Sequence, residues 1–327
     1  MYLLLLVLVV SFAVTFVSTP VLIRKFRDAG IVGRDVHKHY GPKIPEMGGL
    51  AIVAGMVAGV MLAIMFATLS GSGLINPDHA LKFDNLMEVF AAVTTILIIA
   101  IIGMFDDLVR IRQSIKAILP VFAAIPLIAV SAGHPYITLP FFGALYLPLI
   151  YPLFLIPFGV TVASNVTNML AGFNGLEAGM GLVACSSLAI IAWDLNRPDA
   201  LVLMLAMVGA LLAFLFFNWY PARIFPGDVG TLSIGAAIAA AVIIGNFESV
   251  GLVITIPYFV DLIFKVKNRF PKEIELTRLV GDKLVCREIV GLPSLLMNVF
   301  NGIREKQLVI ILVATEAFFG IIAVLIW

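Results

Sequence analysis

The chain has 327 residues, of which 61% are hydrophobic and only 13% charged, and its mean hydropathy is +1.10. This excludes an ordinary soluble domain: a chain of this length cannot bury so much apolar surface in its own core, so lipid must cover much of it. The net charge of +1 says little, because its distribution matters more than the sum, and no nucleic-acid partner is expected.

Apolar runs of roughly 17–25 residues, each able to cross about 30 Å of hydrocarbon as a helix, recur along the chain. We count ten, at about 2–23, 47–69, 88–105, 115–132, 147–164, 176–193, 200–217, 229–246, 250–266 and 307–327. Met1–Val17 lacks the preceding charges and the small-residue cleavage site of a signal peptide, and is taken as the first span. The pattern predicts an all-α polytopic membrane protein of about ten transmembrane helices, forming a single domain over 1–327. Charges seldom interrupt the runs; Asp261 in the ninth is one. Tyr136–Pro148 alternates β-formers with Pro and Gly and predicts a small non-cytoplasmic hairpin. In the long loop 265–306, Gly291–Asn301 is apolar but too short to span, and an interfacial helix is expected. No internal repeat of the transporter kind is present.

The basic residues give the orientation. Of the 21 Lys and Arg, 19 fall in the loops at 24–46, 106–116, 218–228 and 265–306, leaving only Lys82 and Arg197 for the other side. The richer side, which also carries the loop at 165–175, is therefore expected to be cytoplasmic, with both termini outside.

Costly polar residues gather in these same loops. Gly41–Gly49 is a basic, Pro- and Gly-rich turn in which Lys43 and Glu46 suit a polar ligand. The third run ends in the adjacent carboxylates Asp106 and Asp107, which must face water, a cation or a ligand; an i,i+4 pair of Asp106 with Arg110 is the alternative. Lys116 follows Asp106 by ten residues, about 15 Å along an unbroken helix, too far to share one phosphate. The chain is therefore expected to turn back between Val109 and Ser114, with Lys116 opening the fourth span. The stretch 163–179 sets Asn165, Asn168, Asn174 and Glu177 among small residues. Asn165 and Asn168 share a helix face, where amide oxygens suit a hard cation or a uracil-like heterocycle, with polar interhelix packing as the alternative. Asp228 follows a Pro-Gly turn and opens the eighth span, either as an N-cap or beside a phosphate–metal complex. Lys265–Lys272 is a basic cluster that serves equally as a positive-inside anchor or a pyrophosphate clamp. His37, His39, His79 and His134 show no metal-ligand spacing and are expected to face solvent. The cysteines, Cys185 in an apolar run and Cys286 in a charged loop, form no disulfide or zinc framework.

Acidic residues, amides and cations converging on one face of a helical bundle match Mg2+-dependent transfer of a phosphate-linked group. No Walker motif or Gly-rich kinase loop is present. The motifs Lys-Ile-Pro-Glu-x-Gly, Phe-Asp-Asp, Asn-x-x-Asn-x-Leu-Ala-Gly-x-Asn-Gly-Leu-Glu-Ala-Gly and Asn-Trp-Tyr-Pro-x-Arg-x-Phe-x-Gly-Asp resemble those of the polyprenyl-phosphate N-acetylhexosamine-1-phosphate transferases. Within that family the chain is most similar to the eukaryotic and archaeal dolichyl-phosphate N-acetylglucosamine-1-phosphate transferases, over about residues 30–272.

The resemblance implies Asp228 and Asn168 as Mg2+ ligands, with Mn2+ as a second candidate metal. It places Asp106 and Asp107 beside the metal and the acceptor phosphate, and Lys116 on phosphate. Glu46 and Asn174 would meet the nucleotide end, with Lys43, Asn165 and Glu177 as further candidates for substrate contact. Arg269, with Lys267, would meet the pyrophosphate or sugar. The implied partners are a UDP-amino sugar and a polyprenyl or dolichyl phosphate in the bilayer, and the family leaves room for a homodimer. The implied setting is a prokaryotic, archaeal-type cell membrane with a cytoplasmic active site. Two departures, Arg110 where bacterial members often carry an acid and Lys267-Asn268-Arg269 where they carry a histidine-containing cluster, argue against the bacterial phospho-muramoyl-pentapeptide transferase. A membrane carrier with a cytoplasm-facing polar site is the alternative from another class.

Overall fold

The structure is a computed structural model and describes residues 2–72, 82–109, 111–139, 143–271 and 276–326. Arg110, His79 and Lys272 lie outside the described residues. The helices are α1 (Tyr2–Asp28), α2 (Gly49–Gly71), α3 (Leu86–Val109), α4 (Gln113–Ala123), α5 (Ile125–Ala129), α6 (Ile156–Met169) and α7 (Leu176–Asp194). They continue with α8 (Pro198–Asn218), α9 (Gly227–Gly245), α10 (Glu248–Ile254), α11 (Ile256–Lys267), α12 (Leu292–Val299) and α13 (Glu305–Ile326).

All ten apolar runs are helical, but among the described residues only seven helices, α1, α2, α3, α7, α8, α9 and α13, are long and apolar enough to span alone. The pair α10–α11, bent by 61°, makes an eighth if it is one span, so the count of ten is not reached. Proline marks each interruption. Pro126 opens α5, Pro157 follows a π-helical turn at Tyr151–Leu155, and Pro257 opens α11. Each removes a backbone donor and crowds the preceding turn, which bends or breaks a helix.

Helix α9 is the axis of the bundle. Its most apolar stretch is 89% buried, against 22% for α1 and 28% for α13, which therefore present the most surface to lipid. Small residues let its neighbours approach closely, as in other membrane bundles. A methyl group on Gly49 of α2 would stand 2.1 Å from the Gly230 nitrogen, and one on Gly103 of α3 2.6 Å from the Asp228 carbonyl carbon. Glu316, at the centre of α13, is wholly buried inside the protein rather than exposed to hydrocarbon.

Three antiparallel hairpins decorate the bundle: β1 (Val32–Arg34) with β2 (Lys43–Pro45), β3 (Tyr136–Leu139) with β4 (Gly143–Tyr146), and β5 (Thr277–Val280) with β6 (Lys283–Cys286). The β3–β4 pair forms where the alternation of Tyr136–Pro148 predicts it, and α12 falls within Gly291–Asn301. One expectation fails. His37 is 4% exposed rather than solvent-facing, because its ring stacks on Phe173 at 4.7 Å. Cys185 and Cys286 are both free, in line with the sequence, and Cys286 is buried under α12 in a small apolar core with Leu284 and Met297.

The basic loops do meet at one end of the bundle. Phe225 N donates to Pro45 O at 2.8 Å, Asp228 N to Asp107 Oδ1 at 2.9 Å, and Asn174 N to Glu305 Oε1 at 2.8 Å. At the other end, Asp199 accepts the backbone N–H groups of Asp84 and Asn85 at 2.9 and 2.8 Å, which brings the segments bearing Arg197 and Lys82 together.

Candidate functional site

The site forms where α3, α4, α6 and α9 converge. Helix α3 stops at Val109 and α4 begins at Gln113, so the chain reverses within the expected interval. Asp106 Oδ1 accepts Ile111 N at 2.6 Å and secures that reversal. The turn returns Lys116 to Asp106: its ammonium lies 2.6 Å from Asp106 Oδ2 and 2.5 Å from Asp228 Oδ2. Lys116 and Asp106 are both 7% exposed. A pair so sheltered from water interacts far more strongly than a surface pair, and removing one member strands the other.

Asp107 turns the opposite way. Its two oxygens accept the backbone N–H groups of Asp228 and Val229 at 2.9 and 3.3 Å. It thus caps α9 from another helix, satisfying donors that the first turn of a helix leaves free and matching the positive end of the helix dipole. Asp228 makes no capping bond to its own helix and is not an N-cap. Its side chain is left free to face Lys116 and Asn168. Gly227, at φ +65°, begins α9, and a side chain there would collide with Asp107 Oδ2 at 2.5 Å.

Asn168 completes the group from the last turn of α6. With Nδ2 donating to Asp228 Oδ1 and Thr231 Oγ1, both at 2.8 Å, its Oδ1 accepts from Lys116 Nζ at 2.9 Å. Three oxygens, from Asp106, Asp228 and Asn168, therefore converge on one cationic nitrogen. Asn165, one turn earlier on the same face, lies outside this group: it donates to Ala117 O at 3.2 Å and pins α6 to α4. Thr231 belongs to the group and is missed by sequence reasoning, since an isolated Thr in an apolar run carries no signal.

A second polar group lies on the same end of the molecule. Asn174, 3% exposed, donates through Nδ2 to Asp35 Oδ2 at 3.0 Å and to Glu305 Oε1 at 2.7 Å, while its Oδ1 accepts Ala222 N at 3.3 Å. Lys38 pairs with Glu305 and lies 3.3 Å from Asp35 Oδ2, with its ammonium 4.2 Å from the centre of the Tyr220 ring. The carboxamide of Asn174 is thus engaged by the protein itself, and it organises the surrounding loops rather than standing open. His37 sits in this group with Nε2 buried and without a hydrogen-bond partner among the described residues. Burial holds its pKa below the ordinary histidine value, against the opposing pull of Glu305 and Asp35. Asp35 and Glu305 were missed for a plain reason: they lie 139 and 131 residues from Asn174.

The remaining candidates are not gathered into either group. Glu177 accepts Gly172 N at 2.6 Å and ties down the loop before α7. The Glu46 carboxylate lies against Gly33, where a side chain would meet it at 1.8 Å. Lys43 on β2 and Lys267 and Arg269 at the end of α11 are exposed.

The family model described as glycosyl transferase family 4 matches residues 89–246, which include most of α3 and the whole of α4, α6 and α9. A Saccharolobus solfataricus protein with the provisional name UDP-N-acetylglucosamine–dolichyl-phosphate N-acetylglucosaminephosphotransferase is 36% identical, over 98% of this chain and 96% of its own. The enzyme of that name from Dictyostelium discoideum is 27% identical, over 87% of this chain and 78% of its own. The phospho-N-acetylmuramoyl-pentapeptide-transferase of Halalkalibacterium halodurans is 29% identical, over 77% of this chain and 78% of its own. Motifs, helical membrane architecture and full-length similarity agree, and the chain belongs to glycosyl transferase family 4.

Proposed function

We propose that the protein transfers N-acetylglucosamine-1-phosphate, or a related N-acetyl amino sugar-1-phosphate, from its UDP-sugar to dolichyl or another polyprenyl phosphate, releasing UMP. The observation that carries this reading is the convergence of Asp106, Asn168 and Asp228 on the Lys116 ammonium. The names of the relatives support the same substrates.

In this reaction an oxygen of the lipid phosphate attacks the sugar-bearing phosphorus of the donor. A new P–O bond forms, the bond to the bridging oxygen breaks, and UMP departs with that oxygen. The acceptor phosphate is already ionised at neutral pH, so positioning and charge neutralisation carry most of the rate. Lys116 supplies a fixed positive charge for the phosphates. Asp107 holds the start of α9, and with it Asp228, in place. Lys267 and Arg269, on the exposed end of α11, would meet the pyrophosphate or sugar.

Mg2+, or Mn2+, would be held by Asp228 and Asn168 beside Asp106. Among the described residues no three His, Cys, Asp or Glu side chains form a complete metal cage. Two carboxylates and an amide, completed by substrate phosphates, are nevertheless the oxygen set that Mg2+ takes. Two carboxylates and an amide oxygen around a single ammonium leave room for a further cation, which would neutralise charge developing on the transferred phosphoryl group.

The basic end, and so the site, would face the cytoplasm of an archaeal-type cell. The test is incubation of purified protein with labelled UDP-N-acetylglucosamine and dolichyl phosphate, with and without Mg2+. Labelled lipid pyrophosphate is expected only with the metal. Its absence across several UDP-sugars and polyprenyl phosphates would overturn the reading.

A further inference from the structure

Lys265 and Asp261 lie one turn apart on α11 and are 6% and 0% exposed. Their ion pair, 2.7 Å long, is therefore sealed within the protein. Neither is explained by the transfer chemistry above. Each also bonds beyond its own helix. Lys265 Nζ donates to the backbone carbonyl of Met169, the last residue of α6. Asp261 Oδ1 accepts Leu292 N, at the first residue of α12, at 2.8 Å.

The position of Met169 matters because it follows Asn168. The end of α6 is held on its other sides by Asn165 on Ala117 O of α4 at 3.2 Å and by Thr167 Oγ1 on Thr231 O of α9 at 2.9 Å. Lys265 supplies the hold from α11, and a cation there also complements the negative end of the α6 dipole. Helix α11 departs from α10 at 61° and carries Lys267 and Arg269 just beyond Lys265.

We propose that Lys265, itself held by Asp261, is a positioning residue for Asn168: by clamping Met169 it sets the amide oxygen at the cation site and links the α11–α12 arm to the start of α9. The proposal rests on the transferase reading, with Asn168 as a cation ligand. Outer partners of this kind fix ligand geometry, and their loss weakens metal binding by about 10- to 100-fold.

The probe is Mn2+, its binding to the purified, substrate-free full chain read by electron paramagnetic resonance. Transfer activity is measured in parallel over a range of Mg2+. The double variant Asp261→Asn/Lys265→Met deletes the clamp without leaving a buried charge, while Asn still accepts from Leu292. It should weaken Mn2+ binding and raise the half-activating Mg2+ by about tenfold or more. Asp261→Asn alone leaves Lys265 able to donate to Met169 but removes its counter-charge, and should lose distinctly less than the double variant in both respects. Equal losses in the two variants would mark a general structural role and overturn the proposal, as would a folded double variant with unchanged Mn2+ binding and Mg2+ dependence. Should the double variant not fold, Lys265→Arg, which keeps the charge but not the fit to Met169, must shift both readouts the same way; unchanged values there also overturn it. Lys265-dependent Mn2+ binding in a protein that forms no lipid product would uphold the clamp and count against the transferase reading alone.

Discussion

Asp107 on α3 caps α9: its carboxylate takes the backbone N–H of Asp228 at 2.9 Å, across 121 residues of sequence. The adjacent carboxylates Asp106 and Asp107 therefore do different work. Asp106 holds a cation, and Asp107 holds a helix end.

Substitutions should separate the two. Asp106→Asn leaves Lys116 paired with Asp228, so it should keep folding and membrane insertion intact while cutting turnover by two or more orders of magnitude, a loss of roughly 3 kcal/mol of transition-state stabilisation. Asp107→Ala should cost activity and also about 1–2 kcal/mol of stability, as the loss of other helix caps does. Thermal unfolding beside steady-state kinetics checks both. Equal melting temperatures for the two variants would remove the distinction.

The metal assignment gives a second prediction. Asp228→Asn should nearly abolish transfer, and Asn168→Ala should raise the Mg2+ concentration needed for half-maximal rate. Each removes an oxygen ligand or its charge. Titration of Mg2+ and Mn2+ against rate is the measurement, and near-normal turnover with unchanged metal dependence in both variants would rule the ligands out.

His37 predicts a pH dependence. The folded protein keeps this imidazole neutral with a lowered pKa, whereas the unfolded chain takes up its proton near pH 6.5. Protonation therefore favours unfolding: the contribution is complete above about pH 6.5 and is lost as pH falls below it. Melting temperatures between pH 7.5 and 5 should decline less steeply in His37→Gln than in the unmodified protein. Parallel declines would show that His37 does not carry the effect.

Orientation can be read by labelling. Single cysteines at Lys43 and Phe270 should react with a membrane-impermeant maleimide only from the cytoplasmic face, and cysteines at Lys82 and Leu195 only from the other. Labelling of Lys43 and Phe270 from opposite faces would divide the site.

Features that depend on local pattern were legible in the sequence. Apolar length gave the helices, and the 15 Å that a straight helix would place between Asp106 and Lys116 required the turn found after Val109. The interrupted spans were less visible because length and apolarity do not register the kinks that Pro126, Pro157 and Pro257 impose. The network of Asp35, Asn174 and Glu305 was not visible at all. It joins the first loop, the third and the start of α13, and no spacing along the chain encodes such a meeting. Asn174 was singled out by its motif, yet its burial among protein partners could come only from the assembled loops.

The close approach of α2 and α3 to α9 has a consequence for how this protein can vary. Gly49 and Gly103 take no part in the chemistry, yet a single added carbon at either would run into the backbone that carries Asp228. Nothing nearby is a flexible side chain that could swing aside, so the helix itself would have to move and take its carboxylate along. A methyl group introduced there should disable the enzyme as surely as the loss of a charged residue, while leaving every reactive group in the chain. Selection on this protein must therefore guard vacancies as well as functional groups.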